Sequence, residues 1–309
     1  MNFFKPYFWD KNQISFFSIL LFPISLLIIF LFYLKRNLTK PKQTSIPVIC
    51  VGNIYLGGTG KTPLSIEIFS ILTDLNINSA FIRKKYDSYQ DEVDLLKKTG
   101  PVYQNKKRLA AIDEANKKNA KVAILDDGFQ DFSVKKNLSI ICFSEKQWIG
   151  NGMTIPSGPL RENLSGLNRA NLAVINGQKN NIIEEKIFSK NKSIKIFYSS
   201  YVPENIEKFK SKKIIAFAGI GNPENFFNLL KINDLNIIET VKFPDHHKFS
   251  ENDLKNLLKK IKENQSILLT TEKDYFRISD DYKKDIKYLK IKIKIENKNQ
   301  FIEEIKKFI

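Results

Sequence analysis

Soft metal ligands are nearly missing from this chain: 309 residues hold two cysteines, Cys50 and Cys142, and two histidines, the adjacent His246 and His247. A Cys/His zinc site or a disulfide framework needs more of them at paired spacings, so both are excluded, and a reducing compartment suits the chain. Arginine is scarce as well. Of 50 basic residues only six are Arg (Arg36, Arg83, Arg108, Arg161, Arg169 and Arg277), and 33 acidic residues leave a net charge of +17. The lysines are scattered among Asn and Ile, as a plain compositional bias would also produce. No RNP-like, zinc-finger or clustered basic-helix pattern accompanies them, so nucleic acid is not an expected partner. Attraction to an anionic membrane or a phosphorylated substrate stays open. A hydrophobic content of 42% excludes both a mostly disordered chain and a polytopic transporter.

What the chain does have, first, is one long apolar run. Asn12 to Leu34 is free of charge and dense in Phe, Leu and Ile. As a helix it is about 34 Å long, enough for a hydrocarbon core of roughly 30 Å. It is too long for a signal-peptide core and lacks a small-residue cleavage site. Tyr7, Trp9 and Tyr33 bracket it at interfacial depths, and Lys35, Arg36, Lys40 and Lys42 follow it, which places the rest of the chain on the cytoplasmic side. Pro23 would kink a spanning helix, or suit a helix pair lying in one leaflet. The competing reading is a buried core helix.

Beyond a polar linker the pattern alternates between strand and helix. Ile46–Val51, Ser79–Ile82, Val122–Leu125, Ser139–Phe143 and Leu172–Ile175 read as buried strands, with helices at 63–75, 91–98 and 108–118. A second set has strands Lys213–Ala218, Ile237–Val241, Ile267–Thr270 and Tyr288–Ile295, helices Pro223–Leu230 and Glu251–Lys262, and a last helix. This predicts an α/β protein: a P-loop NTPase-like, mainly parallel sheet, a smaller second α/β lobe and an N-terminal membrane helix. The expected division is a membrane-anchoring helix and linker over 1–45, a P-loop kinase core over 46–203 and a second lobe over 204–309.

The strongest local signal follows the first strand. Tyr55-Leu56-Gly57-Gly58-Thr59-Gly60-Lys61-Thr62 ends as a Walker A loop does, with a strand before it and a helix after it. Glycines let backbone N–H groups turn around phosphate oxygens, Lys61 meets the β/γ charge, and Thr62 offers a hydroxyl to Mg²⁺. The usual first glycine is Tyr55 here. A Gly-rich turn with a chance Lys-Thr is the bland alternative, and a dinucleotide site lacks the Lys-Thr pair. Val122–Leu125 runs into Asp126-Asp127-Gly128-Phe129-Gln130, and a carboxylate at that strand end reads as the Walker B group that organises Mg²⁺.

These motifs resemble the tetraacyldisaccharide 4′-kinases, the lipid A kinases of Gram-negative bacteria. Val51-Gly52-Asn53 before the loop and Pro63 after it belong to the resemblance. So do Gly150-Asn151-Gly152, Pro156-Ser157-Gly158-Pro159-Leu160-Arg161-Glu162, Arg169-Ala170 and Phe217-Ala218-Gly219-Ile220-Gly221-Asn222. Phe243-Pro244-Asp245-His246 and Thr270-Thr271-Glu272-Lys273-Asp274 complete the order, over roughly residues 46 to 277. The resemblance implies a two-lobed kinase at the cytoplasmic face of the inner membrane. Such an enzyme moves the γ-phosphoryl of ATP to the 4′-hydroxyl of an acylated glucosamine disaccharide 1-phosphate. ATP is then a substrate, Mg²⁺ the cofactor, and no obligate protein partner is expected.

The resemblance also implies roles. Lys61 and residues Tyr55, Leu56, Gly57, Gly58, Thr59, Gly60 and Thr62, with Asp126, would bind ATP. Thr62, Asp127 and Glu162 would hold the metal. Asp91, in Gln90-Asp91-Glu92, matches the catalytic Asp with His246 as its partner, and Arg83, Arg108 and Arg161 match headgroup contacts. From the residues alone, Asp91 could instead cap a helix and His246 could be an ordinary loop residue. Two departures stand out: Arg83-Lys84-Lys85-Tyr86 replaces Arg-Gly-Tyr, and Asp131 replaces the His that usually follows Gln130. The alternative function is a membrane-bound P-loop ATPase acting on a protein partner.

Overall fold

The computed structural model describes residues 5–11, 13–85 and 90–309, so Asn12 and Tyr86 lie outside the described residues. Helix α1 (Phe16–Leu38) starts at Ser15, whose hydroxyl accepts the Ser18 N–H at 3.1 Å, and runs unbroken through Pro23. It is followed by β1 (Val48–Gly52), α2 (Lys61–Asp74), β2 (Ser79–Lys84), α3 (Gln90–Lys97), β3 (Val102–Asn105), α4 (Arg108–Lys117), β4 (Val122–Asp126), β5 (Leu138–Ser144), β6 (Leu172–Asn176), α5 (Asn181–Phe188) and β7 (Lys195–Pro203). Then come β8 (Ile214–Ala218), α6 (Pro223–Ile232), β9 (Ile237–Lys242), α7 (Glu251–Asn264), β10 (Ile267–Thr271), α8 (Glu272–Phe276), α9 (Asp280–Lys283), β11 (Ile286–Leu289), β12 (Ile291–Ile295) and α10 (Lys298–Lys306).

Two sheets result. The larger has the order β12-β7-β6-β5-β1-β4-β2-β3, with every pairing from β3 across to β7 parallel. The smaller runs β11-β10-β8-β9, all parallel. In β1, β4 and β5 every residue is buried, because helices cover both faces of a parallel sheet and leave no solvent-facing side to alternate.

The chain divides into two compact units that the sequence order does not respect. One gathers Tyr201–Lys292 together with α3, although α3 lies between β2 and β3 in sequence. The other holds the phosphate loop, Thr99–Ser200 and Ile293–Ile309. The expected division at 203/204 therefore leaves α3 and the last 17 residues in the other unit. The single strand expected over Tyr288–Ile295 is two: β11 joins the small sheet and β12 the large one. The break falls at Lys290, whose N–H donates to Asn205 Oδ1 (2.9 Å) and whose carbonyl accepts the Glu204 N–H (2.9 Å).

Candidate active site

β1 ends on Gly52, where an added Cβ would lie 2.4 Å from Phe129 Cβ, so the strand and the Asp126–Gln130 segment approach as only glycine permits. Residues 53–60 then form the phosphate loop. Asn53 braces it from inside, its amide donating to Thr59 Oγ1 (2.9 Å) and the Gly57 carbonyl (3.2 Å). Gly60 stands at φ +91°, a left-handed turn that delivers the chain into α2 with Lys61 as first helical residue. Tyr55 replaces the usual glycine by leaving the loop altogether. Its buried ring packs on Ile149 and Leu160, and its hydroxyl donates to Asp10 Oδ1 at 2.6 Å. Burial, then the Asp10 carboxylate, raises its phenol far above the ordinary range. Among the described residues nothing lies within 4 Å of the Cβ position of Gly58.

The parallel register sets Val51 of β1 beside Asp126 of β4, which brings the loop's root and the first carboxylate side by side. Asp126 accepts from Thr62 Oγ1 (3.2 Å), Ser65 Oγ (3.0 Å) and Arg83 Nη1 (2.7 Å). Asp127 follows at φ +59°, a left-handed conformation that costs a non-glycine residue energy and clusters at functional sites. Lys61 Nζ lies 3.9 Å from Asp127 Oδ1, and Arg161 Nη1 donates to that oxygen at 2.7 Å. Arg108 reaches the Asp127 carbonyl (2.7 Å) and the carboxylate of Asp131 (2.9 Å). Burial opposes ionisation of Asp131, but Ser133 and then Arg108 outweigh it and hold the group below its ordinary range.

The structure thus collects Lys61, Thr62, Asp126, Asp127, Arg83, Arg108 and Arg161 in one place. The arginines expected at the lipid headgroup are not free at the surface: Arg83 is 6% and Arg108 7% exposed, and each is engaged by a carboxylate. Among the described residues Arg108 Nε and Arg161 Nε are buried without a hydrogen-bond partner. Glu162, expected beside the metal, is paired with Arg169, whose Nη2 bonds both of its oxygens (2.9 and 2.7 Å), and Gln130 adds a third bond (3.0 Å).

For Mg²⁺ the test is donor chemistry. The Thr62 hydroxyl, the Asp126 carboxylate and the adjacent Asp127 are hard oxygen donors, as Mg²⁺ requires. Among the described residues no group of three or more His, Cys, Asp and Glu side chains could hold a metal.

Asp91 and His246 belong to the other unit, where α3, the loop after β9 and α8 meet. Asp91 is buried, and its Oδ2 accepts from Arg277 Nε (2.9 Å) and Nη2 (2.7 Å). His246 Nδ1 is 3.8 Å from the same oxygen and 3.5 Å from Arg277 Nη2. His246 also stands at φ +56°, its N–H bonded to the Gly219 carbonyl at 3.0 Å. Burial first, then Lys273, depresses its imidazole below the ordinary 6.5, so it is neutral at pH 7. His247, by contrast, stacks on Phe243 and bonds Asp253, a packing role.

The motif with no role at sequence level organises this cluster. Thr271 caps α8 by accepting the Asp274 N–H (3.1 Å). Asp274 in turn takes the Gly219 N–H (3.1 Å) and Arg277 Nη1 (2.9 Å), while Lys273 pairs with Glu92 (2.8 Å). Burial would lower the Lys273 ammonium, but Glu92, Asp91 and Asp245 outweigh it and raise it. Arg277 closes the quoted stretch without any motif of its own, and only its partners reveal it.

Comparison with known proteins agrees over nearly the full length. The sequence pattern of the Tetraacyldisaccharide-1-P 4′-kinase family matches residues 17–309. A tetraacyldisaccharide 4′-kinase of Pelagibacter ubique is 41% identical over 306 residues, covering 97% of this chain and 96% of that protein. One from Rickettsia canadensis is 35% identical over 323 residues, with 97% and 96% covered. The crystal structure of the "apo" form of LpxK from Aquifex aeolicus in complex with ATP superposes with a TM-score of 0.73 at 25% identity, covering 94% of this chain and 99% of that one.

Proposed function

We infer the roles of individual residues from one premise: the chain belongs to the tetraacyldisaccharide-1-P 4′-kinase family. Its reaction is ATP-dependent transfer of the γ-phosphoryl group to the 4′-hydroxyl of a tetraacyl glucosamine disaccharide 1-phosphate, a step of lipid A biosynthesis. The observation that carries this reading is the set Lys61, Thr62 and Asp126 at the carboxyl ends of neighbouring parallel strands. An ATPase acting on a protein partner is not favoured. The two separate on one assay: labelled phosphate from ATP should pass to a lipid disaccharide 1-phosphate. ATP turnover indifferent to that acceptor would contradict the kinase reading.

Backbone N–H groups of residues 57–61 and the amino end of α2 receive the phosphates, and Lys61 neutralises charge on the group in transfer. Thr62 and Asp127 would hold Mg²⁺, with Asp126 beside them, and the ion supplies charge neutralisation and alignment of phosphate oxygens. A sugar hydroxyl is a weak nucleophile, so Asp91 accepts its proton as the new O–P bond forms. Among the described residues the side-chain contacts of Asp91 run to Arg277, Lys273 and His246, which supports the base reading over a capping role. Neutral His246 lies beside the pair as a polar neighbour.

The arginines divide by their contacts. Arg83 bonds Asp126 and so acts with the nucleotide carboxylates, whereas we assign Arg108, on Asp131 and the Asp127 carbonyl, and Arg161, on the outer carboxylate Asp127, to the acceptor's phosphate or sugar. Arg108→Ala and Arg161→Ala should raise the lipid KM more than the ATP KM, and Arg83→Ala should do the reverse. Steady-state kinetics with each substrate varied in turn decide this. Equal effects on both KM values in all three variants would remove the division.

α1 is the membrane element. Phe16, Ile19, Leu20, Leu27 and Leu31 are exposed, while Ser18 and Ser25 are buried. Ser18 Oγ accepts from Asn151 Nδ2 (3.1 Å), Ser25 Oγ donates to the Thr154 carbonyl (2.9 Å) and bonds Ser157 Oγ (2.8 Å), and Phe32 meets Phe132 edge-on at 5.3 Å. These contacts span 14 residues, about 21 Å of helix, so a spanning α1 would drag polar loop 151–157 into hydrocarbon. α1 therefore lies along one leaflet on the cytoplasmic side. Single cysteines replacing Lys11 and Lys40 should then react with an impermeant maleimide from the same side of sealed inner-membrane vesicles. Labelling from opposite sides would establish a span.

A further inference from the structure

Asp91 is gripped asymmetrically. Arg277 places two nitrogens on Oδ2, at 2.9 and 2.7 Å, and Lys273 Nζ lies 3.9 Å from the same atom. Among the described residues nothing bonds Oδ1. Arg277 is itself held on a third side, where Nη1 donates to the Gly219 carbonyl (2.7 Å) and to Asp274 Oδ1 (2.9 Å). Asp274 is fixed in turn by the Thr271 hydroxyl (2.7 Å) and the Gly219 N–H. A guanidinium with five donors in a rigid plane can serve both carboxylates and a carbonyl at once, which an ammonium cannot.

We propose that Arg277 is a positioning residue for phosphoryl transfer: it holds Asp91 by Oδ2 so that Oδ1 is the oxygen presented to the acceptor hydroxyl. The proposal rests on Asp91 being the base. Charge-assisted bonds from two nitrogens to one oxygen fix the carboxylate's plane as well as its place. They also leave Oδ1 as the atom with an unused lone pair. The step balances simply: the hydroxyl proton passes to Oδ1 as the oxygen bonds phosphorus and the bond to the ADP oxygen breaks. The Thr271-Glu272-Lys273-Asp274 motif then has a purpose, since it anchors the guanidinium that anchors the base.

Kinetics on the full-length enzyme in detergent–lipid micelles test this. Arg277→Ala should lower kcat about 10²-fold, the usual effect of a reacting group misplaced by an ångström, with ATP KM unchanged. Added guanidinium should restore part of the rate. Arg277→Lys keeps the charge but not the two-nitrogen grip, so kcat should still fall with ATP KM unchanged. That variant decides the matter if Arg277→Ala does not fold, and a Lys variant as fast as the parent overturns the proposal. So does an Arg277→Ala enzyme with parental kcat, or one whose loss added guanidinium does not relieve. Asp91→Asn separates the layers. Near-normal turnover there removes the base assignment and the proposal together, whereas a crippled Asp91→Asn beside a parental Arg277→Ala removes the proposal alone.

Discussion

Replacing Lys61 by Ala should lower kcat by about 10³-fold or more, because the transferring phosphoryl group loses the cation nearest the loop. The structure gives the reason for so large a loss. Lys61 is the first residue of α2, and Gly60, at φ +91°, sets its direction. Asp127, at 3.9 Å, is a distant partner, which leaves the ammonium available to phosphate oxygens. Lys61→Arg keeps the charge on a longer, planar head and should recover only a part. Single-turnover transfer of labelled phosphate measures the chemical step directly. A Lys61→Ala enzyme within a few-fold of the parent would be incompatible with phosphate-loop catalysis.

The second large effect concerns Asp91 and His246. Asp91→Asn should cost on the order of 10²–10⁴ in kcat, the contribution of a positioned base, and leave ATP affinity unchanged. His246→Ala should cost less. Its Nδ1 stands 3.8 Å from Asp91 Oδ2, beyond hydrogen-bond reach, and Arg277 already occupies that oxygen. The double variant should be little worse than Asp91→Asn, since a neighbour that acts through the charge around Asp91 has nothing left to act on once the base is gone. His246 also sets a pH dependence. Burial and Lys273 keep it neutral near pH 7, so its protonation at lower pH adds a cation beside Arg277 and Lys273 and should slow turnover on the acid side. His246→Gln should lose that component. Fully multiplicative losses in the double variant would show that the two residues act independently.

Most of the nucleotide site was legible in the chain because its parts are local. Gly60-Lys61-Thr62 follows an apolar strand, and Asp126-Asp127 ends another; a parallel register then suffices to bring them together. Short-range chemistry does not reveal ion pairing at a distance. Arg83 and Arg108 look alike in sequence, yet one is committed to Asp126 and the other to Asp131 and the Asp127 carbonyl. Glu162 sits beside Arg161 in its motif, but Arg169, seven residues on, takes both of its oxygens. The apolar reach of α1 was plain from composition, whereas Ser18 and Ser25 as its docking face were not.

By itself, then, the sequence determined the strand–loop–helix of Walker A type, the carboxylates that end β4, the long apolar helix and the alternation that makes parallel sheets. Each depends on residues adjacent in the chain, where periodicity and turn chemistry act directly. Tertiary structure decided that α3 packs with Tyr201–Lys292, that Tyr288–Ile295 divides between two sheets, and that Arg277 meets Asp91 from 186 residues away. Those outcomes depend on which buried charges can satisfy one another, because an ion taken out of water must find its partner wherever the fold brings one.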